Sequence, residues 1–112
     1  MKRLSIIIPI YNCEKEIYRL LTSILSQKWN KDLYEVIACN DCSTDKTMNI
    51  IQTYTDKMNI IKCKTKQREI HCPGNTRKDG LKYATGEWIT FIDNDDMFEP
   101  DVFDDLRIKK DY

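Results

Sequence analysis

The chain has 112 residues, enough for one domain around one core, and 41% of them are hydrophobic. Its 18 Lys and Arg balance 18 Asp and Glu, which excludes a general electrostatic pull toward nucleic acid or an anionic membrane. No stretch approaches the roughly 18 to 20 apolar residues of a membrane-spanning helix. The apolar run after Lys2 and Arg3 is short and closed by Pro9, unlike a signal peptide, so a cytoplasmic location is expected.

Leu4 to Ile10 is almost wholly apolar and β-branched, the pattern of a strand buried on both faces of a parallel sheet. Pro9 is expected to end its ladder. Tyr11-Asn12-Cys13 then forms a loop. From about Glu14 to Gln27, Ile17, Leu20, Leu21, Ile24 and Leu25 make one stripe at helical spacing, with Glu14 and Glu16 placed in the first turn. A second strand runs from Tyr34 to Cys39. It leads into Asn40-Asp41-Cys42-Ser43-Thr44-Asp45, where Ser43 or Thr44 can cap a helix reaching about Tyr54. Asn59 to Cys63 is a short third strand. Lys64 to Gly74 is polar and expected to be flexible, with Pro73-Gly74 marking a turn. Asn75 is placed as the cap of a helix from Thr76 to about Ala84, ended by Gly86. Trp88 to Ile92 reads as a buried fourth strand. Pro100 and Asp101 can open a last helix to about Lys109.

The alternation β-α-β-α-β-α-β-α predicts an α/β fold: a Rossmann-like, mostly parallel sheet with helices on both faces. Ligands of such sheets bind outside the carboxyl ends of the strands. Three polar clusters fall there: Tyr11-Asn12, Asn40-Asp41 and Asp93-Asn94-Asp95. They are therefore expected along one rim.

The fourth strand ends in Asp93-Asn94-Asp95-Asp96. Folding has no use for three adjacent carboxylates at a strand end, but a divalent cation does. Asp93 and Asp95 are two residues apart and would share one side of extended backbone. Hard oxygen donors of this kind suit Mg2+ or Mn2+, with phosphates completing the shell. The plainer reading is a solvated acidic turn. Neither GxxxxGK[ST] nor GxGxxG occurs, so phosphate charge must be met by the metal and by cations such as Arg77. Tyr11 offers a ring for stacking, and Asp41 can accept from the N3–H of uracil. Tyr11 could equally be a packing aromatic, Asp41 a turn or cap residue, and Arg77 a surface cation. Five cysteines without an export signal argue for free thiols, although Cys39-x-x-Cys42 with Cys72 leaves a zinc or redox module as a minor alternative.

Ser5-Ile6-Ile7-Ile8-Pro9-Ile10-Tyr11-Asn12, Asn40-Asp41-Cys42-Ser43-Thr44-Asp45, Arg77-x-x-Gly80-Leu81, Ala84-x-Gly86-Glu87-Trp88-Ile89 and Phe91-Ile92-Asp93-Asn94-Asp95-Asp96 occur in this order. Together they resemble the N-terminal, nucleotide-sugar-binding part of a family 2 glycosyltransferase with the GT-A fold. The resemblance implies a metal-dependent, inverting transferase that uses a nucleotide-diphosphate sugar, most often a UDP-sugar. Tyr11 matches the residue against the base, Asp41 the carboxylate that reads uracil, and Arg77 a cation near the diphosphate. Asp93-Asn94-Asp95 matches the DxD motif, with Asp95 the direct Mn2+ or Mg2+ ligand and Asp93 on the ribose or the metal's water shell. Pro9, Asn12 and Glu14 would line the nucleotide pocket.

The departures are Asn40 for the usual Asp, Cys42 where the family has Gly, and Lys78 where it commonly has Asn. The resemblance also implies a catalytic base in a following acceptor half, so residues 1–112 are expected to be the donor part alone. The acceptor would be a saccharide or a lipid-linked one, which is compatible with peripheral membrane association. An exposed sheet edge would then invite self-association. A non-catalytic nucleotide- or protein-binding module that retains the fold is the alternative from another class.

Overall fold

The computed structural model describes residues 3–64 and 73–103. Four strands, β1 (Leu4–Ile10), β2 (Tyr34–Asn40), β3 (Ile60–Lys64) and β4 (Trp88–Phe91), form one parallel sheet in the order β3-β2-β1-β4. The helices are α1 (Ile17–Leu25), α2 (Thr47–Gln52) and α3 (Pro73–Leu81).

β1 is central and buried along its whole length. Ile6, Ile8 and Ile10 pack with Ile17, Leu20, Leu21 and Ile24 of α1, while Ile7 joins Ile37, Cys39 and Cys63 on the other face. The second face is covered by α3, which comes very close: a Cβ on Gly80 would lie 2.5 Å from Cys39 Sγ and 2.8 Å from Ile7 Cγ2. Only glycine permits that approach.

Pro9 does not end the ladder. β1 pairs with β2 through Ile10, and Pro9 sits opposite Cys39. Alternate residues of a strand present their backbone groups to alternate neighbours. The Ile10 carbonyl accepts from Asp41 N–H on the β2 side, and the Ile7 carbonyl from Ile92 N–H on the β4 side. The missing Pro9 donor therefore faces the β4 side, where the strand pairing has already stopped at Phe91.

β4 is not the buried strand its apolar run suggested. Trp88, Ile89 and Phe91 are 37%, 46% and 44% exposed. The strand is at the edge of the sheet, and α3 lies over β1 and β2 rather than over it. Its start is nonetheless fixed firmly. The buried Glu35 carboxylate accepts from Ser5 Oγ at 2.7 Å, Thr85 N at 2.8 Å and Thr85 Oγ1 at 3.0 Å. Ser5 Oγ in turn accepts from Gly86 N at 2.8 Å. Downstream of β4, Phe103 is buried edge-on against Trp29, Tyr34 and Phe98.

Several helix boundaries differ from the sequence reading. α1 starts at Ile17, so Glu14 and Glu16 precede it. α2 starts at Thr47, and neither Ser43 nor Thr44 caps it. α3 begins at Pro73, places Asn75 inside the helix and ends at Leu81, before Gly86. Pro at a helix's first position is favourable because its absent N–H would have no partner there. Most of the 64–74 connection, with His71 and Cys72, lies outside the described residues, as does the last helix beyond Phe103.

Candidate nucleotide-sugar site

Three loops leave the carboxyl ends of the adjacent strands β2, β1 and β4, and hydrogen bonds stitch them together. Asn12 adopts a left-handed backbone, φ 44°, which Asn tolerates. Its Oδ1 accepts from Thr44 N at 2.8 Å and Asp45 N at 3.3 Å, and its own N–H donates to Ser43 Oγ. Cys13 N donates to Thr47 Oγ1 at 2.9 Å, and Glu14 N to Asp45 Oδ2 at 3.2 Å. These bonds explain the late start of α1 and α2. The first loop's backbone donors and the Ser43 hydroxyl are engaged across the gap, not in helix caps.

On the other side Asn94 Nδ2 donates to the Pro9 carbonyl at 3.1 Å, so the β4 loop is tied to the β1 loop. Along this rim Tyr11 presents a ring that is 42% exposed, and Asp41 is buried at the end of β2. Cys42 takes φ 59°, the backbone shape glycine would supply.

Asp93, Asp95 and Asp96 converge by a turn, not by the alternation of an extended strand. Asp96 N donates to the Asp93 carbonyl at 3.0 Å, which folds the chain back on itself. One carboxylate oxygen from each of the three lies within 4.8 Å of the others, and all three residues are exposed. The turn therefore adds Asp96 to the Asp93 and Asp95 pair read from the sequence. Exposed oxygen donors, close together with room for further ligands, fit a small hard dication. Arg77, on α3, donates from Nη2 to Asp93 Oδ1 at 2.5 Å. Its Nε is buried without an acceptor among the described residues.

Asp45 and Thr47 were not singled out in the sequence, and their hub role has no signature there beyond Ser/Thr/Asp enrichment. Asp45 Oδ1 accepts from Thr47 N at 3.0 Å and from Thr47 Oγ1 at 2.5 Å. Partial desolvation pushes the Asp45 carboxyl up, but donors from Thr47 and Glu14 outweigh it, and the group titrates below the ordinary carboxylate range.

The structure separates the Cys39–Cys42 pair of the cysteine alternative, and its Cys72 lies outside the described residues. Cys39 is buried beneath α3 beside Cys63, whereas Cys42 is exposed in the loop. Among the described residues, the aspartate turn is the metal-competent cluster, and Cys39 and Cys42 form none. Burial pushes the Cys13 thiol up to about 11 and raises Cys39 and Cys63 as well, which disfavours the thiolates that metal binding or redox exchange needs.

Residues 5–107 match the family described as Glycosyl transferase family 2. The chain is 39% identical over 107 residues to the poly(ribitol-phosphate) beta-N-acetylglucosaminyltransferase TarS of Staphylococcus aureus, covering 94% of this chain and 18% of TarS. It is 37% identical over 94 residues to the poly(ribitol-phosphate) beta-glucosyltransferase of Bacillus spizizenii, covering 84% of this chain and 15% of that protein. The crystal structure of S. aureus TarS 1-349 in complex with UDP-GlcNAc superposes with a TM-score of 0.91 at 36% identity, over 97% of this chain and 31% of that one. The chain thus spans less than a fifth of the length of either full-length relative. With the stitched strand-end loops and the aspartate turn, these likenesses show that the chain belongs to glycosyltransferase family 2 and has the GT-A fold.

Proposed function

We propose that this chain is the donor-binding part of an inverting glycosyltransferase that moves a sugar from a UDP-sugar to a polymer or lipid-linked acceptor. The observation that carries the reading is the common rim: the β1, β2 and β4 loops are bonded to one another, with the aspartate turn at one end. The two curated relatives are named as transferring N-acetylglucosamine and glucose to poly(ribitol-phosphate), and the S. aureus structure holds UDP-GlcNAc. Those names support an N-acetylglucosamine or glucose donor and a phosphate-rich polyol acceptor here.

In this reading the Tyr11 ring stacks on uracil and Asp41 accepts from its N3–H. Pro9, Asn12, Glu14 and Asn94 shape the cleft between the β1 and β4 loops. Asp95, with Asp93 and Asp96 beside it, would hold Mn2+ or Mg2+. A metal bound there stabilises charge on the departing diphosphate as a Lewis acid. The acceptor oxygen forms its bond to the anomeric carbon as the carbon–phosphate-oxygen bond breaks on the opposite face, and UDP leaves with the electron pair. The base that takes the acceptor proton is assigned to a part of a longer transferase beyond these residues, in keeping with the length of the relatives.

Calorimetry of the 112-residue chain with UDP tests the reading. UDP binding that strengthens with Mn2+, and loses that dependence in Asp95→Ala, is expected. Absence of UDP binding with and without metal would overturn it.

A further inference from the structure

The Arg77–Asp93 pair implies more than neutralisation. Resting on the donor-site reading above, we propose that Arg77 is a gate: it occupies Asp93 until a diphosphate draws the guanidinium away, so that metal binding is conditional on nucleotide.

Three features of the pair carry this. First, Arg77 Nη2 contacts the same aspartate turn that fits the dication, and it takes Asp93 Oδ1 at 2.5 Å. A guanidinium held on that oxygen opposes a dication at the same carboxylates, because two positive charges are then brought close together. Second, the contact is one-pronged, Nη2 to Oδ1, rather than the two parallel bonds that make guanidinium–carboxylate pairs strong. Arg77 Nε is buried and lacks an acceptor among the described residues, so the guanidinium is poorly satisfied where it is. A diphosphate offers several anionic oxygens and a better match to its fork. Third, both side chains remain partly accessible, 34% for Arg77 and 53% for Asp93, so neither is locked by packing. The sequence reading placed Arg77 near the diphosphate. The structure shows it on Asp93 of the aspartate turn, and the gate connects the two positions.

Linkage makes the consequence measurable. A group that opposes metal without nucleotide and favours nucleotide itself couples the two ligands, and the coupling is reciprocal. Mn2+ binding is followed by the paramagnetic resonance signal of free Mn2+, with and without UDP, in the wild-type chain, Arg77→Gln, Arg77→Lys and Lys78→Gln. Lys78 is an exposed cation on the same helix and serves as the control for bulk charge. Without UDP, Arg77→Gln should bind Mn2+ about tenfold more tightly than wild type, and UDP alone about tenfold more weakly. Arg77→Lys, a point charge without the fork, should fall between. With saturating UDP the Mn2+ advantage should vanish, and Lys78→Gln should show little of it.

The gate is overturned if Arg77→Gln and Arg77→Lys bind Mn2+ alone no more tightly than wild type, or if Lys78→Gln matches the gain. Either result beside intact UDP·Mn2+ binding by wild type removes the gate and leaves the donor site. A wild-type chain that binds no UDP under any condition removes both.

Discussion

The Ser5 hydroxyl donates to the Glu35 carboxylate at 2.7 Å across the β1–β2 register, inside the sheet. This buried pair sets where β4 begins, because Thr85 donates to the same carboxylate and Gly86 to the same hydroxyl. It lies at the end of the sheet away from the aspartate turn, yet it governs the strand that carries the turn.

Glu35→Gln should therefore destabilise the fold by about 2 kcal/mol, because the neutral amide loses the charge assistance of the bonds from Ser5 and Thr85. Gly86→Ala should cost a similar ~2 kcal/mol through overpacking. The added Cβ would meet Ser5 N at 2.7 Å and Leu4 C at 2.9 Å, backbone atoms that cannot step aside. Urea unfolding of the two variants measures both. Wild-type midpoints would mean that the network does not hold β4.

Cys42 is expected to be a site of easy gain. A side chain at φ 59° is strained, and Cys42→Gly relieves it. The relief is about 1–2 kcal/mol, offset in part by about 0.4–1 kcal/mol of extra unfolded-chain entropy. A net stabilisation near 1 kcal/mol follows, visible as a higher urea midpoint with UDP affinity retained. A lower midpoint would show that the thiol makes contacts outweighing the backbone strain.

Asp45 makes the rim sensitive to acid. Its carboxyl titrates lower in the folded chain than in the unfolded one, where an aspartate sits near about 3.9. The stability it contributes is thus fully present above that unfolded value and is lost as pH falls through the lower folded one. Asp45→Asn should be less stable than wild type near neutrality, and the gap should close in strong acid. A gap independent of pH would assign the loss to shape, not to charge.

The resemblance to family 2 glycosyltransferases was already readable in five ordered motifs, and residues 5–107 match that family. The β1 run of Leu4 to Ile10 was legible as a strand because apolar β-branched residues in succession have one good solution, burial on both sides of a parallel sheet. The Ile17, Leu20, Leu21, Ile24 stripe was legible for the same kind of reason, since its spacing leaves only a helix facing the core.

Other features depend on partners distant along the chain, which local pattern does not contain. α1 starts late because the Cys13 and Glu14 N–H groups find Thr47 and Asp45, more than 30 residues away. β4 reads as buried because apolar residues occupy both its faces, yet its position at the sheet edge leaves them exposed. Pro9 looks like a strand terminator until the sheet order shows that its missing donor faces the side where β4 has already stopped. Local propensity and periodicity thus determined which segments became strands and helices, and that those segments alternate. The meeting of Arg77 with Asp93 was decided only by the tertiary structure, because α3 and the aspartate turn belong to different segments and the packed sheet alone brings their charges to 2.5 Å.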